Sequence, residues 1–192
     1  AVLATLPERE RRCGLAEAIK HGFIADTQLV DRFEQSGEAF ARLDRDPTME
    51  LVEDCCRIKA AIVAADERES GRRAVLNFGH TLGHAYERLL GYGELTHGEA
   101  VSLGMVHAAR VSERLGHASP GLAERVRDVL AAAGLPVDTQ DPKLPNIDAL
   151  VEAARSDKKA DGDTVRFVVL EEVGRSLIRG LTWDELSDAL AA

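Results

Sequence analysis

RRAVLNFGHTLGHAYERLLGYGELTH, residues 72–97, is the stretch whose reading decides the fold. It carries three of the six histidines, His80, His84 and His97. On a helix Arg73, Asn77, His80 and His84 share one face, because they follow one another at spacings of four, three and four. Val75, Phe78, Leu82, Ala85 and Leu89 take the opposite face. The spacing predicts one amphipathic helix with a polar face of Arg, Asn, His and His. A solvated surface is the plain alternative. Such surfaces are mostly Lys and Glu, and here that type returns only at Glu87 and Arg88. Gly79 and Gly83 flank the stripe. An interior Gly costs roughly 1 kcal/mol against Ala, so the pair points to close approach of a neighbouring helix or a ligand.

Towards the C-terminus, Gly91, Tyr92 and Gly93 break the helix. Thr96 and Glu99 have the spacing of a capping box, which opens a helix over residues 97–115. Val101, Leu103, Met105, Val106, Ala108, Ala109 and Val111 make that helix apolar over much of its surface, so it is expected to be buried. Gly116 suits its end. A helix over 120–133 follows, then a loop marked by Pro136, Pro142 and Pro145. A further helix opens near Asp148, and residues 156–163 (SDKKADGD) read as a polar turn. VRFVVL (165–170) and RSLIRG (175–180) are the strand candidates, paired as a hairpin. Thr182 and Glu185 form a second capping box for a last helix.

Towards the N-terminus, residues 66–71 (DERESG) read as a charged loop. Before it, Asp46-Pro47-Thr48 starts a helix with Leu51, Val52, Cys55, Ile58, Ile62 and Val63 at helical spacing. Asp26-Thr27 caps another, with Leu29, Val30 and Phe33 inward. GLAEAIKHGFIAD (14–26) is a helix with Leu15, Ile19, Gly22 and Phe23 on its apolar face and Glu17, Lys20 and His21 on the other. Pro7 fits the first turn of a helix with Glu8 at its positive end. The expected architecture is a mainly α domain over residues 1–192 with one small C-terminal β-hairpin.

The chain has 192 residues, enough for one domain or at most one and a half. Its 45% hydrophobic and 30% charged residues fit a soluble globular protein. A net charge of -9 argues against nucleic acid as a partner but leaves room for a local basic pocket for an anionic small molecule. No apolar run is long enough for a membrane span and no signal peptide is visible, so a cytoplasmic location is expected. Cys13, Cys55 and Cys56 include no CxxC pair, which suits reduced thiols. Adjacent Cys55 and Cys56 read as small core residues. Neither GxGxxG nor GxxxxGK[ST] occurs. The chain opens at Ala1 without Met, which reads as an excerpt from a longer polypeptide whose nucleotide-binding part lies elsewhere.

Three polar residues raise metal chemistry. His97 falls at the start of a buried helix, where the dipole favours the neutral, metal-binding imidazole. Glu17 lies on a helix rich in apolar residues and could add a carboxylate. One carboxylate and two imidazoles leave open positions on a divalent ion. Spacing does not choose among His80, His84 and His97, nor does it place Glu17 against them. His107 on the buried helix reads as a satisfied core histidine, and His21 and His117 as structural or surface residues.

GLAEAIKHGFIAD (14–26), DERESGRRAVLNFGHTLGHAYE (66–87), HGEAVSLGM (97–105) and DKK (157–159) before the hairpin, in this order and spacing, resemble 3-dehydroquinate synthase. The likeness covers the C-terminal, metal-binding half of that family and not its NAD-binding half. The resemblance implies zinc, with cobalt as the alternative, held by Glu17, His80 and His97. It implies substrate contacts and catalytic roles for Lys20, Lys59, Arg73, Asn77 and His84, with Lys158 or Lys159 reaching in. It further implies NAD supplied by the chain's own N-terminal domain, a small-molecule sugar phosphate as substrate, and leaves a homodimer open. The family reaction turns 3-deoxy-D-arabino-heptulosonate 7-phosphate into 3-dehydroquinate and phosphate, a step of the shikimate route to aromatic amino acids. It runs through transient oxidation, phosphate elimination, re-reduction, ring opening and aldol closure. Three other readings compete: another sugar-phosphate cyclase, the helical domain of a metal-dependent polyol or alcohol dehydrogenase, and a non-catalytic helical module. Without the NAD half, the chain alone is expected to be inactive.

Overall fold

The computed structural model describes residues 2–67, 71–91, 93–157 and 163–191, except the side chain of Glu38. A 3-10 turn, Val2–Thr5, leads to α1 (Glu8–Ala25), α2 (Thr27–Arg42) and α3 (Arg45–Ala65). A second 3-10 turn, Arg72–Asn77, precedes α4 (His80–Leu90) and α5 (His97–Arg114). Then come α6 (Leu122–Ala132), α7 (Ile147–Asp157), strands β1 (Thr164–Glu172) and β2 (Arg175–Thr182), and α8 (Trp183–Ala191). The mainly α fold with a C-terminal hairpin is as the sequence predicts.

Helix α5 is the axis of the molecule. Almost every residue from Gly98 to Ser112 is buried, so the helix has no solvent stripe to show. Helices α1, α4, α6 and α8 and strand β1 surround it. Its start is fixed twice. Thr96 Oγ1 accepts from the Glu99 amide while the Glu99 carboxylate accepts from the Thr96 amide at 2.7 Å. Arg9 of α1 then grips the same Glu99 carboxylate with Nε at 2.8 Å and Nη2 at 2.7 Å, tying the two helix starts together.

The hairpin is antiparallel, with Val168 opposite Ile178 and a bulge between Leu170 and Glu172. β1 is anchored to the axis where the Leu170 amide donates to Ser112 Oγ at 3.0 Å. Its tip is tied to the α1–α2 corner by Gly174 N–H to Phe23 C=O at 2.9 Å and by Thr27 Oγ1 to Val173 C=O at 2.9 Å. Asp26 caps α2, accepting from the Leu29 amide at 3.2 Å.

Four expectations need correction. The histidine stretch is not one helix: the 3-10 turn ends at Asn77, and the chain turns at Phe78 and Gly79 before α4 starts at His80. Gly79 sits at φ 80°, where a side chain is strained. A Cβ there would also meet the Met105 amide at 2.8 Å, so α5 crosses at the break. The predicted close approach is therefore real, but it interrupts the helix. Secondly, α1 runs unbroken from Glu8 to Ala25, and Lys20 and His21 on its polar face are buried, beside Lys59 of α3 and Arg73 of the second 3-10 turn. Thirdly, only Cys55 of the cysteine pair packs on the core; Cys56 is exposed. Lastly, Leu89 at the end of α4 is exposed, and Val52 of α3 is exposed beside a groove shared with Leu3 and Leu6, where no described element covers it.

Candidate active site

Three helices bring Glu17, His80 and His97 to one point. Glu17 comes from the middle of α1, while His80 and His97 are the first residues of α4 and α5. Glu17 Oε1 stands 3.4 Å from His80 Nε2 and 3.8 Å from His97 Nε2. One atom from each residue lies within 4.8 Å of the others. Glu17 Oε1 is buried and accepts no well-formed hydrogen bond. A buried carboxylate oxygen facing two ring nitrogens, unsatisfied by protein, is the donor set a divalent cation completes.

The other atom of each group is occupied. Glu17 Oε2 accepts from Lys20 Nζ at 2.7 Å. His80 Nδ1 lies 3.2 Å from the Phe78 carbonyl, which can only accept, so Nδ1 carries the proton and Nε2 presents its lone pair. Burial alone would raise the Glu17 carboxyl, but the His80 ring beside Oε1 and the charge and hydrogen bond of Lys20 outweigh it and hold it well below the usual carboxylate range. Burial lowers the Lys20 ammonium, with Glu17 opposing.

Beside this point lies a cavity of about 300 Å³, lined by Lys20, Lys59, Arg73, Asn77 and His80 among others. Lys59 reaches it from the exposed side of α3, and Arg73 and Asn77 from the 3-10 turn. The Arg73 backbone is pinned by the Asp66 carboxylate, which accepts from its amide at 3.0 Å, and its Nη1 donates to the Glu67 carbonyl at 3.2 Å. The cavity wall thus collects cations in a chain whose net charge is -9. Such a wall suits phosphate or carboxylate groups.

His84 is placed differently. It lines a second cavity, of about 540 Å³, between α4 and α7, with Thr81, Glu87, Arg88 and Asp157. Its ring centroid is 5.5 Å from that of His80 and 6.0 Å from that of His97. Partial burial, then the neighbouring His80, lowers its proton affinity. Asp157 ends α7 at this cavity, and Lys158 and Lys159 lie outside the described residues.

One residue at the site was missed from sequence. Glu87 reads as a solubilising charge, yet both its oxygens stand 3.3 Å from His97 Nδ1. Its position three residues after His84 and seven after His80, on the same helix face, was the available signal. His21 is buried without a well-formed hydrogen bond to either ring nitrogen. His107 is as expected: its Nε2 meets Tyr86 Oη at 2.9 Å in the core.

A carboxylate and two imidazoles at one point, bordered by a cationic cavity, form a donor set that fits a divalent ion beside an anionic group. The chain belongs to the 3-dehydroquinate synthase C-terminal family, whose pattern matches residues 14–160. Among solved structures it resembles 2-epi-5-epi-valiolone synthase from Streptomyces hygroscopicus subsp. jinggangensis 5008, which has NAD+ and Zn2+ bound. The TM-score is 0.83 at 25% identity, over 98% of this chain and 52% of that one. It also resembles 2-deoxy-scyllo-inosose synthase complexed with carbaglucose-6-phosphate, NAD+ and Co2+, with a TM-score of 0.70 at 22% identity, over 97% of this chain and 53% of that one. The chain therefore spans about half the length of these structures. No helix among the described residues is long and apolar enough to cross a membrane.

Proposed function

We propose that this chain is the metal- and substrate-binding half of a 3-dehydroquinate synthase, acting with an NAD-binding half on 3-deoxy-D-arabino-heptulosonate 7-phosphate. The observation that carries the reading is the unsatisfied Glu17 Oε1 facing His80 Nε2 and His97 Nε2 beside the Lys20–Lys59–Arg73 wall. Glu17, His80 and His97 would hold Zn2+, with Co2+ as the alternative. A bound divalent ion supplies Lewis-acid polarisation of the hydroxyl that NAD oxidises.

The chain's own residues would bind and orient. Lys20, Lys59 and Arg73 offset the negative charge of the substrate's phosphate and carboxylate. Asn77 offers an amide to a hydroxyl. His84, whose proton affinity is lowered by burial and by His80, would hold the substrate's polar end and help move protons. One of Lys158 or Lys159 is proposed to contact the substrate, as the family resemblance implies.

A second reading is favoured by the solved structures themselves, which are valiolone and inosose synthases. In it the same site serves another sugar phosphate. The set Lys59, Arg73, Asn77 and His84, which fits the dehydroquinate pattern, favours the first reading. Phosphate release decides between them. The protein joined to its NAD-binding half should release phosphate from the heptulosonate phosphate only with metal and NAD present, and the 192-residue chain alone should release none. Release from a different sugar phosphate only would establish the second reading. For the site, His80→Ala and His97→Ala should each lose bound metal by elemental analysis; full retention in both would sink the ligand assignment.

A further inference from the structure

The three-ligand reading leaves one carboxylate at the site without a task. Glu87 lies two turns beyond His80 on α4, and both its oxygens stand 3.3 Å from His97 Nδ1. Two roles are open to it. It could join His84 and His97 as a ligand, since their atoms also fall within 4.8 Å of one another. Or it could hold His97 from behind.

The ring chemistry separates the two. The nitrogen that faces Glu17 Oε1, at 3.8 Å, is Nε2, and the nitrogen that faces Glu87 is Nδ1. The two lone-pair directions of an imidazole diverge, so an ion at Nε2 is out of reach of a carboxylate at Nδ1. A neutral imidazole that gives Nε2 to an ion keeps its proton on Nδ1, which then needs an acceptor. An ionised carboxylate is acceptor-only. The other two candidate ligands are built the same way, with the Phe78 carbonyl behind His80 at 3.2 Å and Lys20 behind Glu17 at 2.7 Å. His97 also needs such a partner most. Its side chain is 42% exposed, against 13% for His80, so packing alone restrains it least.

We infer that Glu87 is a positioning residue: it accepts from His97 Nδ1–H, fixes the ring's tautomer and plane, and aims Nε2 at the ion. The inference rests on the metal reading above. It is tested on the purified, metal-stripped protein, titrated with Zn2+ against a chromogenic chelator and with Co2+ followed by visible absorption. Glu87→Ala should still bind one equivalent, about 10- to 100-fold more weakly, with Co2+ bands at the wild-type positions. Glu87→Gln, whose amide oxygen still accepts from Nδ1–H, should recover much of that loss. Wild-type Kd in Glu87→Ala, with the fold intact by circular dichroism, overturns the inference. So do shifted Co2+ bands in either variant, which would make Glu87 a ligand. His80→Ala is the reference in the same titration: if it binds metal like wild type, the three-ligand reading fails, whatever Glu87 does.

Discussion

Lys20 shows how a residue's surroundings change its meaning. Three residues after Glu17, it has the spacing of an ordinary surface pair on one helix. In the fold its side chain is 4% exposed and its ammonium sits 2.7 Å from Glu17 Oε2. Sequence placed both residues on the polar side of α1 but gave no sign of the burial. In the fold Lys20 shares a cavity wall with Lys59 of α3 and with Arg73 and Asn77 of the second 3-10 turn, residues distant in the sequence. Breaking a buried pair by removing one partner is strongly destabilising in a dry interior. Glu17 is 36% exposed, so water can solvate the stranded carboxylate and reduce the cost. Lys20→Met should therefore lose only about 1 kcal/mol in urea unfolding, seen as a lower midpoint at unchanged slope. It should also raise the Glu17 carboxyl towards its ordinary range, because the Lys20 charge is among the groups that lower it. A variant as stable as wild type, with the Glu17 titration unmoved in carboxylate NMR, would show that the pair does neither.

At the scale of elements, the contact between α4 and α5 sets the spacing of His80 and His97. A Cβ on Gly104 would fall 2.0 Å from the Gly79 carbonyl oxygen and 2.9 Å from the Gly83 amide nitrogen, both backbone atoms that cannot swing away. Gly104→Ala must push the two helices apart, at about 1–3 kcal/mol or more for overpacking. The same movement separates the two imidazoles, whose ring centroids are 5.2 Å apart, so metal affinity should fall although no ligand has changed. Zinc titration of a variant confirmed as folded checks this; wild-type affinity would mean that the helix contact does not govern the site. The glycines at 79 and 83 foretold a near neighbour, and the capping box foretold where α5 begins. The break at Gly79 was not legible, because the apolar and polar positions of residues 73–84 keep a helical period straight across it. Only α5 passing over Gly79 decides that the chain turns there. His84 suffers from the same misreading. Its stripe with Arg73 and Asn77 exists only on a continuous helix, and in the fold it lines the neighbouring cavity.

For the molecule as a whole, the core and the site respond to acid in the same direction but for different reasons. His107 is 2% exposed, and burial, then Arg110 and Arg114, pushes its pKa down from 6.5 to about 4. The folded state therefore favours the neutral ring, while the unfolded chain takes up a proton near pH 6.5. Stability from this group is fully present above that pH and is lost as pH falls towards about 4, at most about 3 kcal/mol. Glu17 acts lower. Its carboxyl is depressed in the fold, so its contribution is present above the ordinary carboxylate range and disappears as pH falls through it towards the depressed value. Bound metal would add a third loss, since protons compete for both imidazoles, so the experiment needs a chelator present throughout. Under those conditions urea midpoints should fall steadily between pH 6.5 and 4. His107→Phe keeps an apolar ring in the core but strands the Tyr86 hydroxyl, which is 2.9 Å from Nε2 in the native pair. It should be less stable than wild type at pH 7 by about 1–3 kcal/mol, the cost of an unsatisfied buried hydroxyl. Its midpoint should vary less over that window, and the two curves should converge as pH falls. Parallel curves would move the acid sensitivity away from the α4–α5 core and onto the carboxylates.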